Sequence, residues 1–254
     1  MPKSLRTHLL SMFSVVYWVF FIISCATLVL PSAAATLLVT ARFDRQRHCL
    51  HYLMCFWARF YLFWNPLWRT TVRGRAYLPI STPCVIVSNH ASILDILLAL
   101  SLFKPFKFTS KIENFNVPMI GWLLKINGYV GFDRRDKLSI RAMMRRCEQL
   151  LRDGESVFFF AEGTRTKTGN IGVLKHGAFD LAAKLDLPVV PLIFSGTFEA
   201  MPPQSLLIDG FRRMRADVYA PIYPHRNESP IQLQRRVQDF FEQYLSPCPE
   251  KRAA

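Results

Sequence analysis

A histidine and an aspartate in the run 88–95 form the first candidate site. His90 and Asp95 follow a short apolar stretch, and Asp95 is the only formally charged side chain between Arg75 and Lys104. Burying a carboxylate among leucine and isoleucine side chains is unfavourable unless the carboxylate is paired. The spacing therefore predicts that His90 acts as a general base on an alcohol and that Asp95 fixes its tautomer.

The two side chains can meet only in one local arrangement. An uninterrupted helix would place them about 140° apart, at roughly 100° per residue. We therefore expect His90 in the loop after a strand and Asp95 in the first turn of the next helix. A second reading makes Ser92 and Asp95 a helix capping box and His90 an ordinary loop residue. The two readings are compatible, because a carboxylate can accept hydrogen bonds from a backbone N–H and an imidazole together.

Two further polar clusters follow predicted strands. One follows the aromatic run 158–160, and its chemical groups are carried by Glu162, Gly163, Thr164 and Arg165. Backbone N–H groups, hydroxyls and a guanidinium suit phosphate oxygens, whereas Glu162 would contact a cation or a hydroxyl. The other cluster, 128–135, contains Asp133 and Arg134. A polar surface turn is the alternative for the first of these clusters. Ligands of parallel α/β sheets gather at the carboxyl ends of strands, which favours a common site.

Alternating apolar runs and helical patterns position these clusters. We predict strands at 84–88, 129–132, 156–161 and 188–194, and helices at 92–103, 139–152 and 173–185. The Pro-rich stretch 221–230 reads as a loop before a short C-terminal helix. The pattern is typical of an α/β fold with a mostly parallel sheet flanked by helices.

The N-terminal stretch is apolar enough to enter a membrane. Residues 9–41 contain no Asp, Glu, Lys, Arg or His, and residues 9–30 would extend about 33 Å as a helix at ~1.5 Å per residue. Pro31 is expected to interrupt the run. A secretory signal peptide is the alternative, since Lys3 and Arg6 precede the run and three alanines at 33–35 resemble a cleavage site.

Aromatic residues mark a second helix after this run. They are Tyr52, Phe56, Trp57, Phe60, Tyr61, Phe63, Trp64 and Trp68. Aromatic and Arg side chains suit the headgroup level of a bilayer. We predict a membrane anchor at 1–68, either one span plus an interfacial helix or a re-entrant hairpin, and an α/β domain at 69–254. A pair of buried core helices is the alternative. The basic cluster at 42–59 favours a cytoplasmic catalytic domain.

Composition and charge narrow the classes of function. Hydrophobic residues make up 51% of the chain and charged residues 20%, which excludes disorder and fibrous repeats. A net charge of +14 indicates an anionic partner or substrate. The arginines at 212, 213 and 215 lack a nucleic-acid-binding motif, so we expect no nucleic acid partner. A non-catalytic lipid tether would leave Asp95 unexplained.

Cysteine and histidine positions predict neither a disulfide framework nor a metal site. The six Cys, at 25, 49, 55, 84, 147 and 248, have no paired spacing, which fits a reducing compartment. His48, Cys49, His51 and Cys55 lie on an aromatic helix without a second ligand pair, so no metal is expected there.

The clusters together resemble the 1-acylglycerol-3-phosphate (lysophosphatidate) acyltransferase family of glycerolipid acyltransferases. The run from Asn89 to Asp95 resembles its His-x4-Asp motif, 128–134 its second motif, 162–165 its third and 190–192 its fourth, in the same order and spacing. Ala161 stands where the family usually has Pro, and Thr166 where Ser is common. Neither departure removes a charged or hydroxyl group.

The resemblance implies transfer of a fatty acyl group to the free hydroxyl of lysophosphatidate, giving phosphatidate. The donor would be acyl-CoA or acyl carrier protein, with no further cofactor. Arg134 and the loop 162–165 would bind the acceptor, which lies in the bilayer. The sequence has no Gly-x-Ser-x-Gly elbow, which favours direct attack on the thioester over an acyl-enzyme. Glycerol 3-phosphate or a lyso-aminolipid is the alternative acceptor.

Overall fold

A single mixed sheet organises the molecule, whose computed structural model describes residues 3–79, 81–203 and 205–245. Within these residues seven strands pair in the order β1-β7-β6-β2-β5-β3-β4. Their bounds are β1 (Trp68–Arg73), β2 (Val85–Ser88), β3 (Lys107–Lys111), β4 (Val130–Phe132), β5 (Val157–Phe160), β6 (Val189–Ser195) and β7 (Arg212–Val218). Among these seven strands of the described residues, β6 and β7 are the only pair that runs antiparallel. The predicted α/β fold with a mostly parallel sheet is confirmed.

Helices cover both faces of this sheet. Their bounds are α1 (Lys3–Ser24), α2 (Leu30–Thr40), α3 (His48–Trp64), α4 (Leu94–Leu100), α5 (Ile120–Ile126), α6 (Lys137–Arg152), α7 (Gly177–Leu185), α8 (Thr197–Ala200) and α9 (Pro230–Leu245). Strand alternation divides the core into two layers. Phe158 packs with α1–α4, whereas its neighbours Val157 and Phe159 pack with α6, α7 and α9.

The four strands predicted from apolar runs correspond to β2, β4, β5 and β6. Three polar strands were not predicted, namely β1, β3 and β7. In β7 the side chains alternate, with Met214, Ala216 and Val218 buried and Arg213 and Arg215 exposed. The arginines at 213 and 215 therefore form the solvent side of a strand, which explains their spacing without a nucleic acid partner.

The N-terminal helix continues through Pro31. A π-helical turn, Cys25–Val29, joins α1 to α2, and Pro31 occupies the first turn of α2. Inside a continuous helix a proline removes one backbone hydrogen bond and its ring crowds the preceding turn, and a π turn directly before it accommodates both effects. The interruption that we expected at Pro31 is therefore only a local π bulge, and the helix continues on both sides of it. Among the described residues, Leu5–Thr40 is long and apolar enough to cross a membrane by length and composition.

The helix α3 packs against this long helix and against the sheet layer. The Tyr17 hydroxyl donates to the Tyr61 carbonyl oxygen at 3.0 Å, and Trp57 Nε1 donates to Ser32 Oγ at 3.2 Å. As the residue number rises from Tyr17 to Ser32 along the long helix, the partner number falls from Tyr61 to Trp57, so the two helices run antiparallel. Their buried side chains share one core with the sheet. The boundary at residue 68 and the arrangement in a membrane stay predictions.

Aromatic side chains of α3 divide between core and surface. Tyr61 is buried, as is Trp68 at the start of β1, whereas Phe63 and Trp64 are exposed. His48, at the start of the helix, contacts a residue outside it: its Nε2 lies 2.6 Å from Glu155 Oε1. Five cysteines in the described part of the chain are free thiols; Cys248 lies outside the described residues.

Candidate active site

The loop after β2 and the first turn of α4 bring His90 and Asp95 together. β2 ends at Ser88 and α4 begins at Leu94, so the chain reverses between the two side chains. His90 Nδ1 lies 2.9 Å from Asp95 Oδ2. The carboxylate is fully buried, whereas the imidazole keeps 13% of its surface exposed. This is the arrangement expected from the spacing, and the catalytic roles of both residues stay predictions.

One oxygen of Asp95 accepts three hydrogen bonds. Besides His90, the backbone N–H groups of Ala91 and Ser92 donate to Oδ2 at 2.7 and 2.8 Å. Oδ1 is buried without a hydrogen-bond partner among the described residues. Because Asp95 Oδ2 already accepts from two backbone N–H groups, we assign His90 Nδ1 as the donor in its contact with this oxygen. The other ring nitrogen, Nε2, is then the basic atom available to a substrate.

The neighbouring hydroxyl of Ser92 is engaged by the protein. Ser92 Oγ donates to the Met201 carbonyl oxygen at 2.7 Å and accepts from the Leu94 N–H at 3.3 Å. The N-cap position of α4 is Ile93 and has no side-chain cap, so the alternative capping box is not formed. Ser92 lies one residue earlier and tethers the start of α4 to the loop after α8, while Asp95 accepts from the Ser92 N–H and contacts the imidazole.

Aromatic stacking fixes the imidazole plane. The rings of His90 and Phe160 stack with centroids 3.8 Å apart and planes inclined by 19°. Strand register places Ser88 beside Phe160, so the end of β5 lies under the His90 loop. Asn89 holds the same loop on the other side, since its amide donates to the Phe194 carbonyl at 3.0 Å and accepts from the Phe194 N–H at 2.8 Å. The imidazole is thus held by two neighbouring strands.

Glu162 joins the second cluster to the first through backbone groups. Its Oε1 accepts from the His90 N–H and its Oε2 from the Gly172 N–H, both at 2.9 Å. Burial raises the pKa of this carboxyl group, and the two backbone hydrogen bonds oppose that rise. The Thr166 N–H donates to the His90 carbonyl oxygen at 2.8 Å. The loop therefore holds His90 from both sides. The expectation that Glu162 contacts substrate stays a prediction.

The C-terminal helix secures the loop that supplies Gly172. Gln238 accepts from the Leu174 N–H at 2.9 Å and donates to the Gly172 carbonyl at 3.3 Å. Gln234 Nε2 donates to the Leu174 carbonyl at 2.5 Å. A chain of contacts thus runs from α9 through Gly172 and Glu162 to His90. Sequence reasoning missed Gln238 and Phe160; strand alternation could have indicated Phe160, but no local signal marks Gln238.

Of the two predicted arginines, Arg134 lines the same cleft as His90, and Arg165 is near enough to Arg134 to affect its charge. Arg134 follows β4, and Arg165 lies in the loop after β5. Partial burial lowers the pKa of Arg134, Glu113 opposes this, and the positive charge of Arg165 lowers it further. Gly163 adopts a left-handed φ of 72° beside them. Thr164 is exposed in the same loop. Two guanidinium groups that repel one another form a favourable place for an anion.

Two adjoining pockets open at this edge of the sheet. A cleft of about 90 Å³ is lined by His90, Arg134 and Gly163. A larger pocket of about 600 Å³ lies between α6 and α7, with apolar walls that include Met143, Met144, Ile140, Phe159 and Ala178. The two share Thr109, Phe132, Arg134, Phe160 and Gly163. A separate cavity of about 410 Å³, lined by His48 and Glu155, lies at the amino ends of the strands, away from His90.

A buried carboxylate behind a histidine, at the carboxyl ends of parallel strands and in a cleft that Arg134 also lines, has the geometry that general-base chemistry requires. Residues 69–195, half of the chain, match the Acyltransferase family model. The chain belongs to this family.

Relatives found by sequence similarity are named 1-acyl-sn-glycerol-3-phosphate acyltransferases. The chain is 43% identical over 183 residues to a chloroplastic 1-acyl-sn-glycerol-3-phosphate acyltransferase of Brassica napus, covering 71% of this chain and 53% of the relative. It is 34% identical over 125 residues to a 1-acyl-sn-glycerol-3-phosphate acyltransferase of Pseudomonas aeruginosa, covering 49% and 48%. The chain therefore spans about half the length of the curated relatives it matches.

A solved structure shares the fold. The crystal structure of the 1-acyl-sn-glycerophosphate acyltransferase PlsC from Thermotoga maritima superposes with a TM-score of 0.77 and 20% sequence identity. The match covers 99% of this chain and 98% of that one. It extends over the N-terminal helices as well as the sheet.

Proposed function

We propose that the protein transfers a fatty acyl group from a thioester donor to the free hydroxyl of lysophosphatidate, giving phosphatidate. The observation that carries this proposal is the His90–Asp95 pair: Nδ1 of His90 lies on Asp95, and His90 lines the same cleft as Arg134. An alcohol is a weak nucleophile at neutral pH, and a positioned general base accelerates its attack by roughly 10²- to 10⁴-fold. The names of the relatives support the same acceptor.

The reaction needs only groups present in the protein and its two substrates. The acceptor hydroxyl oxygen attacks the thioester carbonyl carbon, so a carbon–oxygen bond forms and the carbon–sulfur bond breaks. The hydroxyl proton passes to His90 Nε2 and from there to the leaving sulfur. Asp95 stabilises the imidazolium that exists between these proton transfers. The products are an ester and a free thiol.

Substrate placement follows from the charges and pockets. Arg134 and Arg165, with the backbone of Gly163 and Thr164, bind the phosphate of the acceptor. Glu162 positions the His90 loop through its backbone N–H. The apolar pocket between α6 and α7 accommodates an acyl chain; its volume of about 600 Å³ falls within the ~300–1,000 Å³ of ordinary ligand pockets.

The N-terminal helices support a site at a membrane. Exposed apolar side chains cover α1 and α2, including Val15, Val16 and Leu38, and both acceptor and product are lipids. A lipid acceptor must be met at an interface, which favours lysophosphatidate over water-soluble glycerol 3-phosphate. We propose that the α/β domain faces the cytoplasm, since Arg42, Arg45 and Arg47 follow the apolar helix.

An acceptor panel tests the proposal. The full chain in detergent is supplied with labelled acyl donor and with lysophosphatidate, glycerol 3-phosphate, a lyso-aminolipid or monoacylglycerol, and products are identified by mass spectrometry. We expect phosphatidate as the main product and no product from His90→Ala. Preference for another acceptor, or near-normal turnover by His90→Ala, would contradict the assignment.

A further inference from the structure

The cavity of about 410 Å³ at the amino ends of the strands is separate from the His90 cleft. It is lined by His48 at the start of α3, Arg75 after β1, Lys104 before β3 and Glu155 before β5; we call it the amino-end cavity. β5 is four residues long, about 13 Å at ~3.3 Å per residue, and the His90 loop lies at its carboxyl end. A small ligand cannot reach both places, so the proposed acyl transfer does not use this cavity.

Two cationic side chains line the amino-end cavity. The Arg75 guanidinium lies over the Phe103 ring, 5.8 Å from its centroid, and forms no salt bridge within the part of the chain that the structure describes. A guanidinium stacked on a ring keeps its N–H groups available to an anion. Lys104 lines the same cavity and donates to the Pro79 carbonyl oxygen. The lining therefore offers a guanidinium and an ammonium to one ligand.

Among the described residues that line this cavity, Glu155 is the only acid. Its Oε1 lies 2.6 Å from His48 Nε2. Burial lowers the pKa of Lys107, and the charge of Glu155 opposes this, so a second cation lies near the same carboxylate. Two acids close by in the chain have other roles: Asp44 accepts from two backbone N–H groups at the start of α3, and Asp153 accepts from a side-chain amide on α6. The lining is therefore net positive.

The second oxygen of Glu155 has no donor. Oε2 is buried without a hydrogen-bond partner among the described residues. A buried acceptor in this state is unfavourable, and an O–H group of a ligand would satisfy it. Ser81 and Thr82 line the same cavity with exposed side chains, and their hydroxyls can donate to a ligand anion. The cavity thus combines donors for an anion with an acceptor for a hydroxyl.

We propose that the amino-end cavity binds a phosphate monoester that also carries a hydroxyl group, the chemistry shared by glycerol 3-phosphate and the headgroup of lysophosphatidate. Arg75 and Lys104 bind the phosphate, and the ligand hydroxyl donates to Glu155. Two cations and two hydroxyl donors suit a phosphate, with nearly two negative charges and three acceptor oxygens, better than a carboxylate. The cavity volume of about 410 Å³ falls within the ~300–1,000 Å³ of ordinary ligand pockets. Binding here involves no acyl transfer, so the inference stands apart from the proposed function.

Calorimetry with glycerol 3-phosphate tests the phosphate contacts. The parent protein is the full chain in detergent with Arg165→Ala, a change that weakens the proposed acceptor-phosphate site, so that the heat reports on the amino-end cavity. The test variant adds Arg75→Gln. The matched control adds Arg69→Gln, an exposed arginine near the other end of β1. We expect Arg75→Gln to raise the Kd about 10-fold and Arg69→Gln to leave it within about twofold.

Inorganic phosphate and hydrogen exchange test the hydroxyl contact and the location. Inorganic phosphate lacks the polyol hydroxyls, so it should bind the parent about fivefold more weakly than glycerol 3-phosphate, the effect of about one hydrogen bond. Glu155→Gln should narrow that ratio, because it removes the carboxylate that accepts from the hydroxyl. Glycerol 3-phosphate should also slow backbone hydrogen exchange in residues 102–107, which include the cavity wall at Lys104.

A vesicle arm distinguishes the two sources of this chemistry. Phosphatidylcholine vesicles with and without lysophosphatidate are mixed with the same proteins in the absence of an acyl donor, and bound protein is measured by flotation. An effect of Arg75→Gln on glycerol 3-phosphate binding identifies a free ester, and an effect on lysophosphatidate vesicles alone identifies a lipid headgroup; either supports the site. Equal binding of both ligands by the Arg75→Gln, Arg69→Gln and parent proteins would overturn it, as would exchange protection confined to the His90 loop.

Discussion

The substitution Asp95→Asn separates the charge of the dyad from its geometry. The N–H groups of Ala91 and Ser92 both point at Oδ2, so the amide oxygen of an asparagine must take that position. Its NH₂ group then occupies the place of Oδ1, which has no partner among the described residues. Stacking on Phe160 keeps the imidazole plane. The variant should therefore preserve the position and tautomer of His90 and lose only the negative charge.

The lost charge matters when His90 becomes an imidazolium. Opposite charges about 4 Å apart attract by roughly 4 kcal/mol at an effective dielectric constant of ~20. A neutral amide oxygen retains about 1 kcal/mol through its hydrogen bond. The difference of about 3 kcal/mol corresponds to a loss of about 100-fold in kcat, at ~1.4 kcal/mol per tenfold. KM should change little, because the attraction exists only after proton transfer begins.

Thiol release followed with a thiol-reactive dye measures this effect. The matched control is Glu155→Gln, which makes the same change in the His48–Glu155 pair at the amino ends of the strands. We expect that control to alter thermal stability and to leave kcat unchanged. A folded Asp95→Asn protein with kcat within threefold of wild type would refute the reasoning. A loss as large as that of His90→Ala would show that Asp95 acts mainly by positioning the ring.

Four other outcomes follow from the same contacts. Arg165→Ala should raise KM for lysophosphatidate about 5- to 10-fold, a modest effect because the side chain is exposed. KM for monoacylglycerol, which has no phosphate, should stay within about twofold of wild type. Equal effects on both acceptors would refute the phosphate site. Burial raises the pKa of Glu162, so its stability contribution is largest below the ordinary glutamate pKa and is lost as pH rises through the raised value. Glu162→Gln cannot ionise. As the pH rises from the ordinary glutamate pKa through the raised value, the melting temperature of this variant should therefore increase relative to that of wild type. Plots of melting temperature against pH that run parallel for the two proteins would contradict this. Gln238→Ala should lower kcat severalfold by releasing the loop around Gly172, whereas Gln149→Ala, a surface change on α6, should not; similar kinetics in both would refute the clamp. Deleting residues 1–41 should weaken membrane flotation and leave salt-sensitive binding, and a fully soluble monomer at low salt would contradict the anchoring role of α3.

Local chemistry allowed the sequence to predict the centre of the site. The apolar runs that became β2, β4, β5 and β6 are short-range signals, since a buried parallel strand requires continuous apolar residues. His90 and Asp95 were placed correctly in a loop and a first helical turn because the separation depends only on helix geometry. The residue types at the three strand ends also indicated an anionic acceptor.

Tertiary structure decided the features that depend on distant residues. The polar strands β1, β3 and β7 form because neighbouring strands satisfy their backbone groups, and their side chains carry little local signal. Pro31 remains within a helix because the π turn directly before it accommodates the hydrogen bond that a proline cannot donate. Both oxygens of Glu162 are directed to backbone N–H groups, and Gln238 reaches the same loop from α9. Sequence establishes which groups are available, whereas the long-range packing determines which of them face a substrate and which hold His90 in place.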